Sequence, residues 1–135
     1  MPPYETTDIP AAELEVLQAL WDKSPATVRD VLNELHKLGR QLAYTTVLTF
    51  LTRLEQKGFV KSDKSGVAYV YSPKVSRDKV SRSRLEEVLE SFYDGAPGPL
   101  VLQLMREGKF TKTEIGELQQ LIDDLDAKNK RRKRS

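Results

Sequence analysis

Residues 44–57 read YTTVLTFLTRLEQK, and the two faces this stretch presents as a helix decide how the remainder of the chain is read. Val47, Leu48, Phe50, Leu51 and Leu54 recur at helical spacing and fall within about 160° of a helical wheel. Thr45, Thr46, Thr49, Thr52, Arg53 and Gln56 fill the opposite arc of about 120°. No acid stands on that arc, because Glu55 falls on the far side. A solvated helix face ordinarily mixes Glu and Lys, which favour helix and pair at i,i+4. Four outward threonines instead lower helix propensity with no packing return. Against a DNA major groove they have a use. A Thr hydroxyl can bond phosphate or a base edge, its methyl can meet a thymine methyl, and Arg can pair bidentately with guanine. A carboxylate on this arc would be repelled by phosphate. These six residues, with Tyr44 at the start of the helix, form a candidate recognition face.

The flanking sequence supplies the elements such a helix needs. Residues 11–22 place Leu14, Leu17, Leu20 and Trp21 on one face, and Pro25 disfavours helix at the residue before it. A second helix is expected from Val28 to Leu38, with Thr27 as N-cap, Asp30 three residues on, and a stripe of Val28, Val31, Leu32, Leu35 and Leu38. Gly39 and Gly58 stop the second and third helices. Residues 59–73, FVKSDKSGVAYVYSP, change rhythm: two strands are expected around the turn Asp63-Lys64-Ser65-Gly66, with Val67, Tyr69 and Tyr71 alternating with Ala68 and Val70. Three short helices and a hairpin with a charged tip are the order of a winged helix-turn-helix, assigned to residues 1–75.

From Ser76 the pattern is helical again. One segment carries Leu85, Val88, Leu89 and Phe92 and ends near Gly95. A short apolar helix, Leu100 to Glu107, comes next, with Pro99 in its first turn and Leu104 among its apolar residues. Thr111 and Glu114 fit a capping box for a last helix whose seam is Ile115, Leu118, Ile122 and Leu125, with Leu121 beside it. Three short helices with one such seam cannot bury it alone. Residues 76–127 are therefore read as half of a homodimer interface, the other reading being that they fold back onto the first domain. Residues 128–135 form a basic tail expected to be disordered. The fold class is thus mainly α with a small β-hairpin wing, a winged helix-turn-helix domain followed by a helical dimerisation domain.

The net charge is only +2, but it is unevenly spread. Residues 1–39 hold three basic side chains against seven acids, residues 40–74 hold six against two, and residues 128–134 contain six basic residues in seven. Lys61, Lys64 and Ser65 on the wing, and Arg40 ahead of the third helix, are positioned to neutralise phosphate. The same surface could serve a protein–protein interaction module, which would lack the steep salt dependence of DNA binding.

Other function classes find little support. A chain of 135 residues is too short for a barrel or a doubly wound dinucleotide-binding enzyme. There is no cysteine, hence no disulfide framework and no thiolate metal site. His36 is the single histidine, and no GxxxxGK[ST], GxGxxG or HExxH string accompanies it. The acid clusters Glu86, Glu87, Glu90 and Asp123, Asp124, Asp126 read as exposed helix flanks. No metal, cofactor or enzymatic activity is expected. The longest apolar run, Val67 to Tyr71, is far below the roughly 20 residues that span a bilayer, and the first residues lack a signal-peptide pattern. A cytoplasmic location without membrane insertion is the expectation.

The segments IPAAELEVLQALWDKSPATVRDVLNEL, AYTTVLTFLTRLEQKGFV and GVAYVYSP, in this order and spacing, resemble the BlaI/MecI penicillinase-repressor family. SFYDGAPGPLVLQLMREGKFTKTEIGELQQLIDDL is similar to that family's dimerisation helices. The resemblance implies a bacterial homodimeric repressor that binds a palindromic operator in double-stranded DNA and is relieved by a signal. It places DNA contacts at Thr45, Thr46, Thr49 and Arg53 and near Lys64 and Ser65. Two departures bear on that signal. The family's β-lactam-responsive members are cleaved at an Asn-Phe bond, and the aligned pair here is Gln103-Leu104, so cleavage by a membrane sensor protease does not carry over. The copper-responsive branch bears a C-terminal cysteine cluster, and this chain has none.

Overall fold

The computed structural model describes residues 5–134. Residues 1–4 and Ser135, the extreme ends of the first domain and of the tail as read from sequence, lie outside them. After a single 3-10 turn at Thr6–Asp8 come helices α1 (Ala11–Asp22), α2 (Val28–Lys37) and α3 (Tyr44–Gln56). Strand β1 (Ala26–Thr27) lies between α1 and α2, and strands β2 (Val60–Asp63) and β3 (Val70–Pro73) come after α3. Then α4 (Arg77–Tyr93), α5 (Pro97–Glu107) and α6 (Lys112–Arg134) complete the chain. The architecture is mostly helical with a winged helix-turn-helix at its front, as the sequence predicts.

Local chemistry explains the boundaries. The Thr27 hydroxyl accepts from Asp30 N while the Asp30 carboxylate accepts from Thr27 N, a reciprocal cap that starts α2. Thr111 and Glu114 repeat it one residue before α6. Gly39 and Gly58 take φ of +84° and +87° just beyond α2 and α3, a conformation that costs residues with a Cβ but not glycine. The backbone amide of Thr27 holds the Asp30 carboxyl below its ordinary range, and that of Thr111 does the same for Glu114. Because both are depressed, their contribution to stability is present at neutral pH and is lost as pH falls through the folded-state values.

One core is buried between the three helices and the sheet. Leu17 and Leu20 of α1, Val31 and Leu35 of α2, Val47, Leu51 and Leu54 of α3, and Val60 and Tyr71 of the sheet all lie in it. Leu38, expected to continue the α2 stripe, is exposed because it sits on the cap after the helix has ended. The sheet has a third member beyond the two strands expected from sequence. β1 pairs antiparallel with β3, Ala26 opposite Tyr71, giving the order β1-β3-β2. The hairpin is also shorter than its alternation suggests. Asp63 pairs with Val70, so Val67 to Tyr69 leave the strand and Val67 stands fully in solvent. The cause is turn chemistry: the Asp63 carboxylate accepts from Ser65 N and Oγ at 2.9 and 2.6 Å and folds the wing into a local loop.

The first turns of α4 belong to this core rather than to the C-terminal helices. Val75 and Val80 are buried in it. Trp21 Nε1 donates to Val75 O at 2.9 Å, Arg77 pairs with Asp22 at 2.6 Å and lies over the Trp21 ring, and Arg84 donates to Ile9 O. The α4 residues assigned from sequence to the dimer interface, Leu85, Val88, Leu89 and Phe92, are partly or largely exposed within the single chain. No residue of α5 or of the described part of α6 is buried. Helix α5 starts at Pro97, earlier than expected, since proline is tolerated throughout a first turn. The basic stretch from Lys128 does not end in disorder: α6 runs through it to Arg134. Lys130 pairs with Asp126 one turn back at 3.4 Å, and cations at a helix C-terminus are favoured by the helix dipole. No helix among the described residues is long and apolar enough to cross a membrane.

Candidate nucleic-acid interface

Helix α3 lies against the rest of the domain with its apolar side inward, so its polar stripe is turned to solvent. Tyr44, Thr45, Thr49, Thr52, Arg53 and Gln56 are exposed and Thr46 is half-buried. Thr49 Oγ1 donates to Thr45 O at 2.9 Å and Thr52 Oγ1 donates to Leu48 O at 2.8 Å. This back-bonding occupies the hydroxyl protons, and the threonines offer outward a methyl and oxygen lone pairs. Arg53 makes no ion pair among the described residues.

The wing stands next to the C-terminal part of α3. Ser62 Oγ donates to the Glu55 carboxylate, and Lys64 Nζ lies 3.9 Å from the same group. Glu55 thereby faces the wing rather than the outward stripe. Lys64 also lies over the Tyr69 ring, 5.6 Å from its centroid. Lys61 and Ser65 are exposed on the same loop and strand. The two hydrogen bonds from Ser65 keep the Asp63 carboxyl below its ordinary range, the hydroxyl's being the stronger cause.

Arg40 is placed differently from the rest. Its Nε donates to Glu15 of α1 at 2.8 Å, so its charge is partly answered within the chain. The fold adds a cation that the sequence does not single out. Arg29, at the start of α2, lies over the Tyr44 ring at 5.1 Å. The two residues line a cavity of about 340 Å³ with Val28, Leu48, Val67 and Tyr69, between α3 and the wing. No spacing signal identifies Arg29, because the contact joins residues fifteen apart across two helices. Lys57 is also removed from the basic block counted in sequence: it donates to Glu13 Oε1 and to Asp8 O, each at 3.1 Å, beneath α1.

The residues read as a dimerisation seam form the other unpaired surface. Leu104, Ile115, Leu121, Ile122 and Leu125 are exposed and Leu100 and Leu118 are half-buried. Gln103 receives a hydrogen bond from Tyr93 Oη. His36 is exposed, with Nε2 3.1 Å from Leu42 O. Among the described residues no group of His, Asp and Glu could hold a metal ion.

A family model described as penicillinase repressor matches residues 9–124. The penicillinase repressor of Bacillus licheniformis is 30% identical over 113 residues, covering 84% of this chain and 88% of that protein. The penicillinase repressor of Staphylococcus aureus is 27% identical over 121 residues, covering 90% and 95%. The methicillin resistance regulatory protein MecI of Mammaliicoccus sciuri is 26% identical, covering 88% and 96%. A solution structure of the DNA-binding domain of the repressor BlaI aligns with a TM-score of 0.49 at 32% identity, over 56% of this chain and 90% of that one. Since the family model spans most of its length, the chain belongs to the penicillinase repressor family, the BlaI/MecI repressors.

Proposed function

We propose that this chain is a cytoplasmic homodimeric transcriptional repressor that binds a two-fold symmetric operator through α3 and the wing. The observation that carries the reading is the outward stripe of α3, four threonines, a glutamine and an arginine without a carboxylate, all exposed in the folded chain except the half-buried Thr46. The relatives at 27–30% identity that are named penicillinase repressors support it.

The roles divide by chemistry. Thr49 and Thr52, their hydroxyl protons engaged, meet base edges with methyls and lone pairs, which suits thymine methyls and cytosine amino groups. Arg53 pairs with guanine, and Thr45, Thr46, Tyr44 and Gln56 border it. Lys61, Lys64 and Ser65 hold phosphates on the wing, and Arg29, steadied by Tyr44, adds a cation at the cavity between α3 and the wing. Arg40 contributes only if it leaves Glu15. The exposed apolar surface of α4, α5 and α6 meets its copy in the dimer, which sets two α3 helices on successive major-groove faces.

Selection of bound sequences from random duplex DNA tests the reading, followed by affinity measured against salt. A symmetric selected site and a steep loss of affinity with salt are expected. Binding without sequence preference and without salt dependence would favour a protein-interaction module. Arg53→Ala should cost the operator about 1–3 kcal/mol while changing random duplex little. Equal losses on both would remove Arg53 from base reading. Lys64→Ala should weaken both alike and lower the salt slope by roughly one; an unchanged slope would show that Lys64 stays with Glu55.

A further inference from the structure

We infer that the C-terminal turns of α6, residues 128–134, are a second, sequence-independent contact for duplex DNA flanking the site read by α3. The inference rests on the DNA-binding reading above and adds to it a surface outside the family match, which ends at residue 124. Of the chain's 22 basic residues against 20 acids, six lie in this stretch, so residues 1–127 hold 16 against 20. Without these turns each protomer is net −4 and approaches a polyanion against long-range repulsion; with them the sign reverses to +2.

The structure makes the stretch a continuous extension of α6. Its residues through Lys133 are exposed, and the helix reaches about 14 Å past Leu125, the last apolar seam residue. The seam does not continue into it: the next positions at its spacing are Asn129 and Arg132. The basic residues are distributed around the whole circumference, and Ala127 is the nearest apolar side chain. A helix that lies in a membrane interface needs an apolar face, and this one has none. A ring of cations on a rigid rod fits the phosphates of a duplex, where each contact releases condensed counterions.

The test uses the full chain and a variant carrying Lys128→Gln, Lys130→Gln, Arg131→Gln, Arg132→Gln, Lys133→Gln and Arg134→Gln, since glutamine preserves helix propensity. Affinity for operator and for random duplex is measured between about 0.05 and 0.3 M salt. The variant should lose at least about tenfold on random duplex at low salt, and its salt slope should fall by two or more. Its ratio of operator to random affinity should rise. Identical slopes for the two proteins would overturn the inference. Two parallel measurements assign such a failure. Loss of binding to phosphatidylglycerol vesicles would give the turns to a membrane, and a changed dimer constant in sedimentation equilibrium would give them to the acids of the partner's α6. Should the full chain show no operator preference, the repressor reading fails, while the slopes on random duplex still decide the role of these turns.

Discussion

Ile122→Asp should convert the proposed dimer to monomer and lower operator affinity by on the order of a hundredfold or more, while leaving thermal unfolding of the winged domain unchanged. Ile122 is 52% exposed in the single chain, so an aspartate there is solvated in the monomer and costs it little. In a two-fold interface the same side chain enters twice. Each unpaired buried carboxylate costs several kcal/mol, and every 1.4 kcal/mol is about tenfold in the dissociation constant. Operator affinity falls because a single α3 then contacts a single half-site. Sedimentation equilibrium and operator titration check the two effects together. A dimer that persists with its affinity intact would place the interface elsewhere than the α6 seam.

Lys57→Met should destabilise the fold by about 3–5 kcal/mol, lowering the midpoint of thermal unfolding by roughly 10–20 °C. The Lys57 and Glu13 side chains retain 19% and 4% of their exposure and meet at 3.1 Å. Taking away the cation leaves the Glu13 carboxylate shut away from water without its partner, and also frees Asp8 O. Replacing both groups, Lys57→Met with Glu13→Leu, should recover most of the loss, because two matched apolar side chains are tolerated where one stranded charge is not. Calorimetry of the two variants checks this. A double variant as unstable as the single one would mean that the site needs the ions themselves rather than their balance.

Glu13 and Lys57 also show where sequence reading stops. The α1, α2 and α3 segments are legible because apolar spacing and terminal glycines act within one turn of a helix. The α3 stripe is legible for the same reason: which face is outward follows from the opposite face being Val47, Leu51 and Leu54. The partners of charged residues are set by three-dimensional folding, so Lys57 and Arg40 count as free cations in sequence although the fold gives them Glu13 and Glu15. The strand β1 escapes for a related reason. Two residues have no period, and Ala26–Thr27 becomes a strand only because β3 is brought beside it. The wing misleads by its own alternation, since the Asp63 side chain closes the loop before the Val67–Tyr71 pattern can pair. The helical continuation past Lys128 depends on Asp126 and on the helix dipole, which composition alone does not weigh.

The attachment of α4 fixes how the two halves of the molecule can move. Its first turns are bolted to α1 and to the loop before it through Trp21, Arg77 and Arg84, so α4 and the reading head turn as one body. Seventeen residues make a lever of about 25 Å, and swinging it through about 10° displaces its far end by roughly 4 Å. That is close to the step of about 3.4 Å between neighbouring bases. In the proposed dimer, the angle at which this shaft meets its twin would set the distance between half-sites, almost base pair by base pair.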